Sequence, residues 1–331
     1  MEIYGTLGPA CAHEETLRAM FEAGMTGVRL NLSHVTLHQA RGQIDALHDA
    51  AARCGVKTKL LIDMQGPELR IGALDKPLTL HGGDTAVLGA GGIPVPELVR
   101  PYLTPGQELL LDDGKILLKV REVRGSSISA EVIRPGELRS RKSIALPGIE
   151  LHTPAMTDSD RVNIRMAKDY GVTGVMQPFV RSRQDLETVR IALNENGGES
   201  IRLFAKIENM QGVDNLEELM PAADEIVIAR GDLGNAVELW QLPALQKRIA
   251  EKCRQAGKSF MVVTQMLSSM EHSPVPTRAE VSDIFNAVLD GAASVMVTGE
   301  TAAGEYPVDV IRYLANTAAE GVKYLKTTTG L

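Results

Sequence analysis

One pattern recurs along the sequence: an amphipathic helical segment, then a glycine, then a short apolar run rich in β-branched residues. Such runs are typical of parallel strands that are covered on both faces. The glycines stand where a helix favours a left-handed residue just past its end, and they are Gly24, Gly55, Gly171, Gly257 and Gly291. The runs that follow them are MTGVRLN, VKTKLLID, VTGVMQP, KSFMVVT and AASVMVT.

Three further apolar runs bring the number of predicted strands to eight: EIYGT, IRLFAKIE and DEIVIARG. Eight strands that alternate with helices predict an α/β fold of the (β/α)8 TIM-barrel type, with a doubly wound sheet as the alternative. The active site of such a barrel lies at the carboxyl ends of its strands.

The segment from 69 to 143 breaks this pattern. It contains short alternating runs separated by Gly, Pro and Asp turns, which are KPLTLHGGDTAVL, QELLLDDGKILLKVREV and SSISAEVIRPGELRS. We therefore predict a small all-β domain over 69–143, inserted after the third barrel strand, with the barrel formed by 1–68 and 144–331. The 256 residues outside the insert are close to the roughly 250 that one barrel needs.

Composition excludes several classes of protein. A net charge of −7 with a single Trp argues against a nucleic-acid partner, and no apolar run is long enough to span a membrane. The first predicted strand begins at residue 2, which leaves no room for a signal peptide. Cys11, Cys54 and Cys253 lie far apart in the sequence, which predicts neither disulfides nor a zinc site and favours a cytoplasmic location.

Charged residues stand at the predicted strand ends, where a barrel has its active site. Lys206 and Glu208 end an apolar run two residues apart, so in a strand they share a face. Glu208 and Asp232 offer carboxylate oxygens that suit Mg²⁺, while Arg29 and Lys206 can neutralise an anionic substrate. Cationic side chains beside a hard metal ion are groups that catalyse phosphoryl transfer or stabilise an enolate.

Other polar residues at or just beyond the predicted strand ends are Thr6, Asn31, Ser33, His34, Asp63, Arg70, Arg230, Thr264, Thr298 and Glu300. Neither a GxxxxGK[ST] nor a GxGxxG motif occurs. A nucleotide would therefore have to be held in another way.

Ten segments, taken in order, resemble the pyruvate kinase family. They are GTLGPAC, GVRLNLSH, LLIDMQGPELRIG, LDDGKILLKV, LPGIEL, AKIENMQGV, IVIARGDLG, VVTQMLSSM, PTRAEVSDIFNAVLDGA and MVTGETAAGEYP. The resemblance implies a barrel with a β domain after its third strand, which transfers phosphoryl from phosphoenolpyruvate to ADP with Mg²⁺ (or Mn²⁺) and K⁺. The usual family member also has a C-terminal effector domain, before which this sequence ends, so we expect no effector response at that site.

The same resemblance implies catalytic roles. Lys206 would stabilise the transferring phosphoryl group and the enolate, and Arg29 would grip the phosphate. Thr264 would help to bind the substrate carboxylate and relay a proton through water to the enolate carbon. The backbone of Gly231 would lie beside that carboxylate, and Asp232 with Glu208 would bind Mg²⁺.

Ion and nucleotide contacts follow from the resemblance as well. Glu68 matches the version of the family motif that accompanies dependence on a monovalent cation. The implied potassium ligands are Asn31, Ser33, Asp63 and the carbonyl of Met64. The implied nucleotide contacts are Asn31, His34, Arg70 and Lys142, with Asp113 from the inserted domain.

The sequence departs from the family pattern at four positions. Val35 replaces a Gly, Met64 and Gln65 replace a Thr and a Lys, and Pro178 stands where a Ser near the phosphate is expected. These changes bear on the nucleotide half of the reaction and leave the metal and enolate residues in place.

Two alternatives to the kinase therefore remain. One is an aldolase or decarboxylase that acts on pyruvate or oxaloacetate, and the other is a relative that binds a metabolite or a partner without turnover. We also expect that the barrel helices, including the one around PTRAEVSDIFNAVLDG, could support a homodimer.

Overall fold

The computed structural model describes residues 1–33, 35–67, 69–89, 91–112, 114–125, 127–149 and 153–329, with no side chain described for the last. It contains two compact units, one formed by Met1–Gly66 with Ala155–Leu331 and the other by Pro67–Pro154. The domain boundaries predicted at 69 and 143 stay a proposal. His34, Glu68 and Asp113 lie outside the described residues.

Fifteen strands lie in the described part of the chain. They are β1 (Glu2–Thr6), β2 (Gly27–Asn31), β3 (Lys59–Asp63), β4 (Leu78–Leu80), β5 (Thr85–Gly89), β6 (Glu108–Leu111), β7 (Ile116–Arg124), β8 (Ser127–Arg134), β9 (Gly136–Leu138), β10 (Ile144–Ala145), β11 (Gly174–Gln177), β12 (Arg202–Ile207), β13 (Glu225–Ala229), β14 (Phe260–Val263) and β15 (Ser294–Met296).

Eight of these described strands close into a parallel barrel in the order β1-β15-β14-β13-β12-β11-β3-β2. They are the eight strands that the apolar runs predict, so the TIM-barrel prediction is confirmed and the doubly wound alternative is wrong. The parallel register sets Asn31 opposite Asp63 and Met176 opposite Asp63, on either side of β3. The carboxyl ends of β2, β3 and β11 therefore lie side by side.

The described helices are α1 (Glu14–Glu22), α2 (Arg41–Arg53), α3 (Asp158–Met166), α4 (Arg183–Glu195), α5 (Met210–Asp214), α6 (Leu216–Leu219), α7 (Arg230–Leu233), α8 (Leu242–Gln255), α9 (Arg278–Leu289), α10 (Gly299–Ala302) and α11 (Pro307–Thr329). Short 3₁₀ turns lie at Arg100–Tyr102, Leu239–Gln241 and Ser268–Glu271. All five glycines of the recurring pattern have positive φ, from +62° to +111°. Four of them stand directly after the C-caps of α1, α2, α8 and α9, in the left-handed conformation expected of that position, while Gly171 follows α3 after a turn.

Apolar side chains fill the barrel in two layers. Inside the barrel, Tyr4, Phe204 and the methionines of β14 and β15 pack with smaller residues of the other strands. Outside it, the apolar faces of the strands and helices form one larger cluster. Because the strands are buried on both sides, most of their polar residues stand at the strand ends, with Arg29 in the middle of β2 as an exception.

The amino-terminal end of the barrel is closed by ion pairs. Lys59 and the Tyr4 hydroxyl both bond to Glu2, and Arg202 bonds to Glu225 over 2.6 Å. Burial raises the pKa of Glu225 above its ordinary value, although Ser294 and Arg202 oppose the shift. Contacts at this end of a TIM barrel serve stability.

The second unit, taken by itself, is all-β. Its larger sheet is antiparallel in the order β10-β6-β7-β8-β5, and β4 pairs with β9. Leu88, Leu109, Leu118 and Ala130 lie in its own buried core. None of the described helices in either unit is both long and apolar enough to cross a membrane.

Gly27 on β2 is a position where the barrel leaves no room for a side chain. A Cβ there would lie 2.6 Å from the carbonyl oxygen of Lys59 and 2.7 Å from Cε1 of Tyr4. We predict that Gly27→Ala lowers the free energy of unfolding by about 2 kcal/mol, because the paired strands must part to admit the methyl group. Urea unfolding monitored by circular dichroism measures the change.

The matched control is Gly42→Ala, at an exposed position in the first turn of α2. Apart from the adjacent residues and the backbone of α2 itself, no described atom lies within 4 Å of the added Cβ. The higher helix propensity of alanine should raise stability by up to about 1 kcal/mol. An equal loss of unfolding free energy in Gly27→Ala and Gly42→Ala would contradict the close packing at Gly27.

Candidate active site

Asp63, the last residue of β3, is bonded to two cations from other strands. Nε and Nη2 of Arg29 lie 2.8 and 2.7 Å from its Oδ2. The ammonium of Lys206 lies 3.3 and 3.2 Å from its two oxygens. Arg29 comes from β2, beside β3, while Lys206 comes from β12, two strands away. The closed barrel therefore assembles three charges that are far apart in sequence.

Burial makes this pairing strong. The side chain of Asp63 is only 3% exposed, and those of Arg29 and Lys206 are each 13% exposed. Burial alone would raise the pKa of Asp63, but the positive charges of Lys206 and Arg29 outweigh it and hold the pKa below its ordinary value. Asp63 is therefore a carboxylate at neutral pH.

Lys206 is held in its charged form by the opposite effect. Burial alone would lower its pKa, but the nearby carboxylates of Asp63 and Glu208 raise it well above the ordinary value of a lysine. The ammonium lies 2.9 Å from Oε1 of Glu208. A permanent cation thus stands at the carboxyl end of β12, as the sequence predicts for an anion-binding site.

The second carboxylate oxygen of Glu208 accepts a hydrogen bond from a backbone amide just past the end of β11. The amide of Phe179 donates to Oε2 over 2.8 Å, and Phe179 has a left-handed φ of +50°. An uncommon conformation at a non-glycine residue persists where neighbouring contacts maintain it. Glu208, whose side chain is 2% exposed, is therefore fixed from both sides.

Glu208 and Asp232 fit the donor requirements of Mg²⁺. They follow the neighbouring strands β12 and β13, at the same end of the barrel. No group of three or more His, Cys, Asp or Glu side chains converges as a metal site in the described residues. Two carboxylates suit Mg²⁺, because it keeps several coordination positions for water and substrate oxygens.

Thr264 follows β14 in a strained conformation. Its φ is +81° and that of Gln265 is +54°, in a region where a β-branched residue is a genuine outlier. Such a residue costs about 1–3 kcal/mol. Gly231 lies beside it, since a Cβ on Gly231 would stand 3.2 Å from Cγ2 of Thr264.

The predicted potassium ligands fall at the ends of two paired strands. Asn31 on β2 lies opposite Asp63 on β3, and Ser33 and Met64 follow within two residues of them. The Ser33 amide donates to Oδ1 of Asn31 over 3.0 Å. Amide, hydroxyl, carboxylate and carbonyl oxygens are thereby grouped along one part of the barrel end.

The predicted nucleotide contacts are not all in this unit. Arg70 and Lys142 belong to the all-β unit, where Nη1 of Arg70 donates to the carbonyl of Arg141 over 3.1 Å. Lys142 pairs with Asp112 over 2.7 Å. Asn31 is in the barrel unit, and His34 is outside the described residues.

Sequence reasoning missed Asp160. This fully buried carboxylate accepts hydrogen bonds from the amides of Gln65 and Gly66, at 2.8 and 3.0 Å, and from Thr157. It fixes the chain beyond β3 to the start of α3. The spacing of Thr157 and Asp160, a helix capping box, is the signal that could have identified it.

Glu300, predicted at a strand end, lies on α10 beyond the end of β15, and its contacts are structural ones. It is 1% exposed and accepts hydrogen bonds from the amides of Leu267 and Thr298, at 3.2 and 2.6 Å. It thereby ties the segment after β14 to the segment after β15. Thr6, also buried, bonds to the carbonyl of Val297.

Comparisons with known proteins agree with the barrel fold. A model of the pyruvate kinase barrel domain matches residues 1–311. A pyruvate kinase of Clostridium acetobutylicum is 35% identical over 95% of this chain and 69% of its own length. One from Chlamydia muridarum is 36% identical over 97% of this chain and 69% of its own length.

A pyruvate kinase of Staphylococcus epidermidis is 36% identical over 96% of this chain but only 56% of its own length. The chain therefore spans between about half and about seven tenths of the length of these relatives.

The charge of Asp63 should be measurable as a pH-dependent contribution to stability. We predict that Asp63→Asn lowers the free energy of unfolding at pH 7 by about 3 kcal/mol, because Arg29 loses its buried partner and Lys206 loses one of two. The contribution is present above about pH 4, the ordinary pKa of Asp, and is lost as pH falls through the lower folded pKa. The difference between the two proteins should therefore shrink in acid.

Urea unfolding from pH 7 to pH 3 tests this, with Asp309→Asn as the control. Asp309 forms an exposed pair with Arg312 on α11, and such pairs contribute little to stability. A difference between wild type and Asp63→Asn that stays constant over the whole pH range would contradict the prediction.

Proposed function

The chain belongs to the pyruvate kinase family, and we propose that it transfers the phosphoryl group of phosphoenolpyruvate to ADP, giving pyruvate and ATP. The observation that carries this proposal is the pair of carboxylates, Asp63 and Glu208, that hold Lys206 as a buried cation at the carboxyl end of the barrel. A fixed positive charge is what a reaction that moves negative charge onto an enol oxygen requires.

The proposed reaction breaks the bond between phosphorus and the enol oxygen and forms a bond from phosphorus to a terminal oxygen of ADP. Lys206 stabilises the negative charge as it passes from the phosphoryl group to the enolate oxygen. Arg29, which Asp63 orients through two hydrogen bonds, binds the phosphate as a planar fork. Mg²⁺, or Mn²⁺, when bound would neutralise substrate oxygens during the transfer.

The enolate then takes a proton at its terminal carbon to give pyruvate. We assign Thr264 the role of binding the substrate carboxylate and relaying that proton through water. The backbone of Gly231, which lies against the Thr264 side chain, would face the same carboxylate. Glu208 and Asp232 would hold the divalent ion by their carboxylate oxygens.

We propose K⁺ as a second ion, held by Asn31, Ser33, Asp63 and the Met64 carbonyl. The support is their position on the paired ends of β2 and β3. For the nucleotide, we propose contacts with Asn31, His34, Arg70 and Lys142.

We further propose a cytoplasmic location and a homodimer through the barrel helices. The described structure leaves Cys11, Cys54 and Cys253 as free thiols, which is in keeping with a reducing compartment.

A lyase that uses the same metal and enolate chemistry is the second candidate. Pro178 favours it, because a ring without a hydrogen-bonding group replaces the serine expected near the phosphate. Release of pyruvate from oxaloacetate without ADP would support the lyase. ADP-dependent release of pyruvate from phosphoenolpyruvate would support the kinase. A protein that shows neither of these activities would support the non-catalytic relative.

Lys206→Met tests the central role. We predict that it lowers kcat for ADP-dependent pyruvate formation by at least about a hundredfold, because the charge that stabilises the transition state is lost. A coupled assay with phosphoenolpyruvate, ADP, Mg²⁺ and K⁺ measures the rate. The control is Lys247→Met, which removes an exposed lysine of α8 that pairs with Asp290. Retained turnover in Lys206→Met would contradict the mechanism.

Glu208→Gln tests the metal site separately from turnover. We predict that this change weakens Mn²⁺ binding at least about tenfold, because one of two proposed carboxylate ligands is lost. Water-proton relaxation by bound Mn²⁺ measures the affinity without substrates. Glu187→Gln, which alters an exposed pair with Arg183 on α4, should bind Mn²⁺ as wild type does. Unchanged Mn²⁺ affinity in Glu208→Gln would place the ion elsewhere.

A further inference from the structure

Arg230, the first residue after β13, bridges three elements of the barrel with one guanidinium group. Nε and Nη2 donate to the carbonyl oxygen of Thr264 over 3.1 and 2.7 Å. Nη1 donates to both carboxylate oxygens of Asp283 on α9, at 2.8 and 2.7 Å. Nη2 also lies 2.9 Å from Sδ of Met266. The side chain of Arg230 is 12% exposed, so these bonds are largely shielded from water.

The carbonyl that Arg230 holds belongs to Thr264, a β-branched residue with a φ of +81°. Thr264 and Gln265 are consecutive non-glycine residues with positive φ, and such conformations persist only where the surroundings determine them. Two hydrogen bonds from a charged group to one carbonyl oxygen are a determinant of this kind. The backbone of Thr264 is therefore fixed by Arg230.

The side chain of Thr264 is contacted by Gly231, the residue that follows Arg230. Gly231 is so close that a Cβ on it would lie 3.2 Å from Cγ2 and 3.7 Å from Oγ1 of Thr264. Two consecutive residues, Arg230 and Gly231, thus hold the backbone and the side chain of the same threonine.

We propose that Arg230 is a positioning residue, which holds Thr264 in its left-handed conformation so that the hydroxyl meets the substrate, and that Asp283 orients Arg230 for this task. The inference rests on the proposed function, since it is that function which assigns Thr264 a role in the reaction. A purely structural ion pair between α7 and α9 would instead stabilise the fold without any link to Thr264.

Lysine cannot replace this arginine. A guanidinium presents several donors in one plane and can serve a carbonyl and a carboxylate at once, whereas an ammonium is a compact point charge. Arg230→Lys therefore keeps the charge beside Asp283, while the pair of hydrogen bonds to the carbonyl oxygen of Thr264 is lost. Asp283→Asn is a second variant, which keeps the shape of the partner and removes its charge.

A double-mutant cycle between positions 230 and 264 tests the link. We expect Arg230→Lys to lower kcat at least about tenfold, because displacement of a reacting group is costly, while Mn²⁺ binding at Glu208 and Asp232 stays unchanged. In a Thr264→Ala background the same change should have less than about a twofold effect, because residues that act through one another are not additive. If the factors by which the two single changes lower kcat simply multiply in the double variant, the proposal is overturned.

A readout without turnover separates this proposal from the proposed function. In protein labelled at threonine methyl groups, the NMR signal of Thr264 is identified by its loss in Thr264→Ser. We expect this signal to shift in Arg230→Lys and in Asp283→Asn, and to stay in place in Arg312→Lys, which alters an exposed pair on α11. An unmoved Thr264 signal in folded Arg230→Lys would overturn the proposal. A wild-type protein without turnover would overturn the proposed function, and the methyl signal then decides on Arg230 alone.

Discussion

Two cations converge on the buried carboxylate of Asp63, and the rest of the candidate site is arranged around that contact. Removing a charge from water is costly unless it is paired and hydrogen-bonded, so the barrel tolerates Asp63 only with Arg29 and Lys206 in place. The same carboxylate keeps Lys206 charged, and Lys206 in turn reaches Glu208. A chain of alternating charges therefore runs across the carboxyl ends of the strands, and each member is oriented before any substrate arrives.

Both ends of the barrel contain ion pairs, but only one end combines them with backbone strain. At the amino-terminal end, Arg202 pairs with Glu225 and lies 4.7 Å from the ring centre of Phe204, and ordinary strand geometry suffices. In the described residues of the barrel unit, the non-glycine residues with positive φ are Phe179, Thr264 and Gln265. All three follow strands at the carboxyl end, where Phe179 bonds to Glu208 and Thr264 to Arg230. Strain and charge thus coincide where chemistry is proposed, as expected of a preorganised site.

The barrel, and the strand ends at which its polar residues stand, could be predicted from sequence because both depend on local patterns. Helix-ending glycines and apolar runs specify alternating helices and strands, and polar residues just past the runs mark the strand ends. The contacts could not be predicted in this way. Lys206 and Asp63 are separated by 143 residues and meet only because β11 lies between β3 and β12 in the closed barrel. The fork of Arg230 and the amide of Phe179 likewise depend on left-handed backbone, which side-chain spacing does not encode.

Two of the departures from the family pattern, Gln65 and Pro178, lie close together in the structure. Pro178 packs directly over Gly66, since a Cβ on that glycine would lie 2.2 Å from Cγ of the proline ring. Gly66, with a φ of +59°, and Gln65 are both held through their amides by Asp160. Replacement of a serine by proline thus exchanges a hydroxyl for packing against a turn that a buried carboxylate already fixes. Because the next residue, Phe179, donates its amide to Glu208, the proline that packs on the turn after β3 stands beside an intact contact between Glu208 and Lys206.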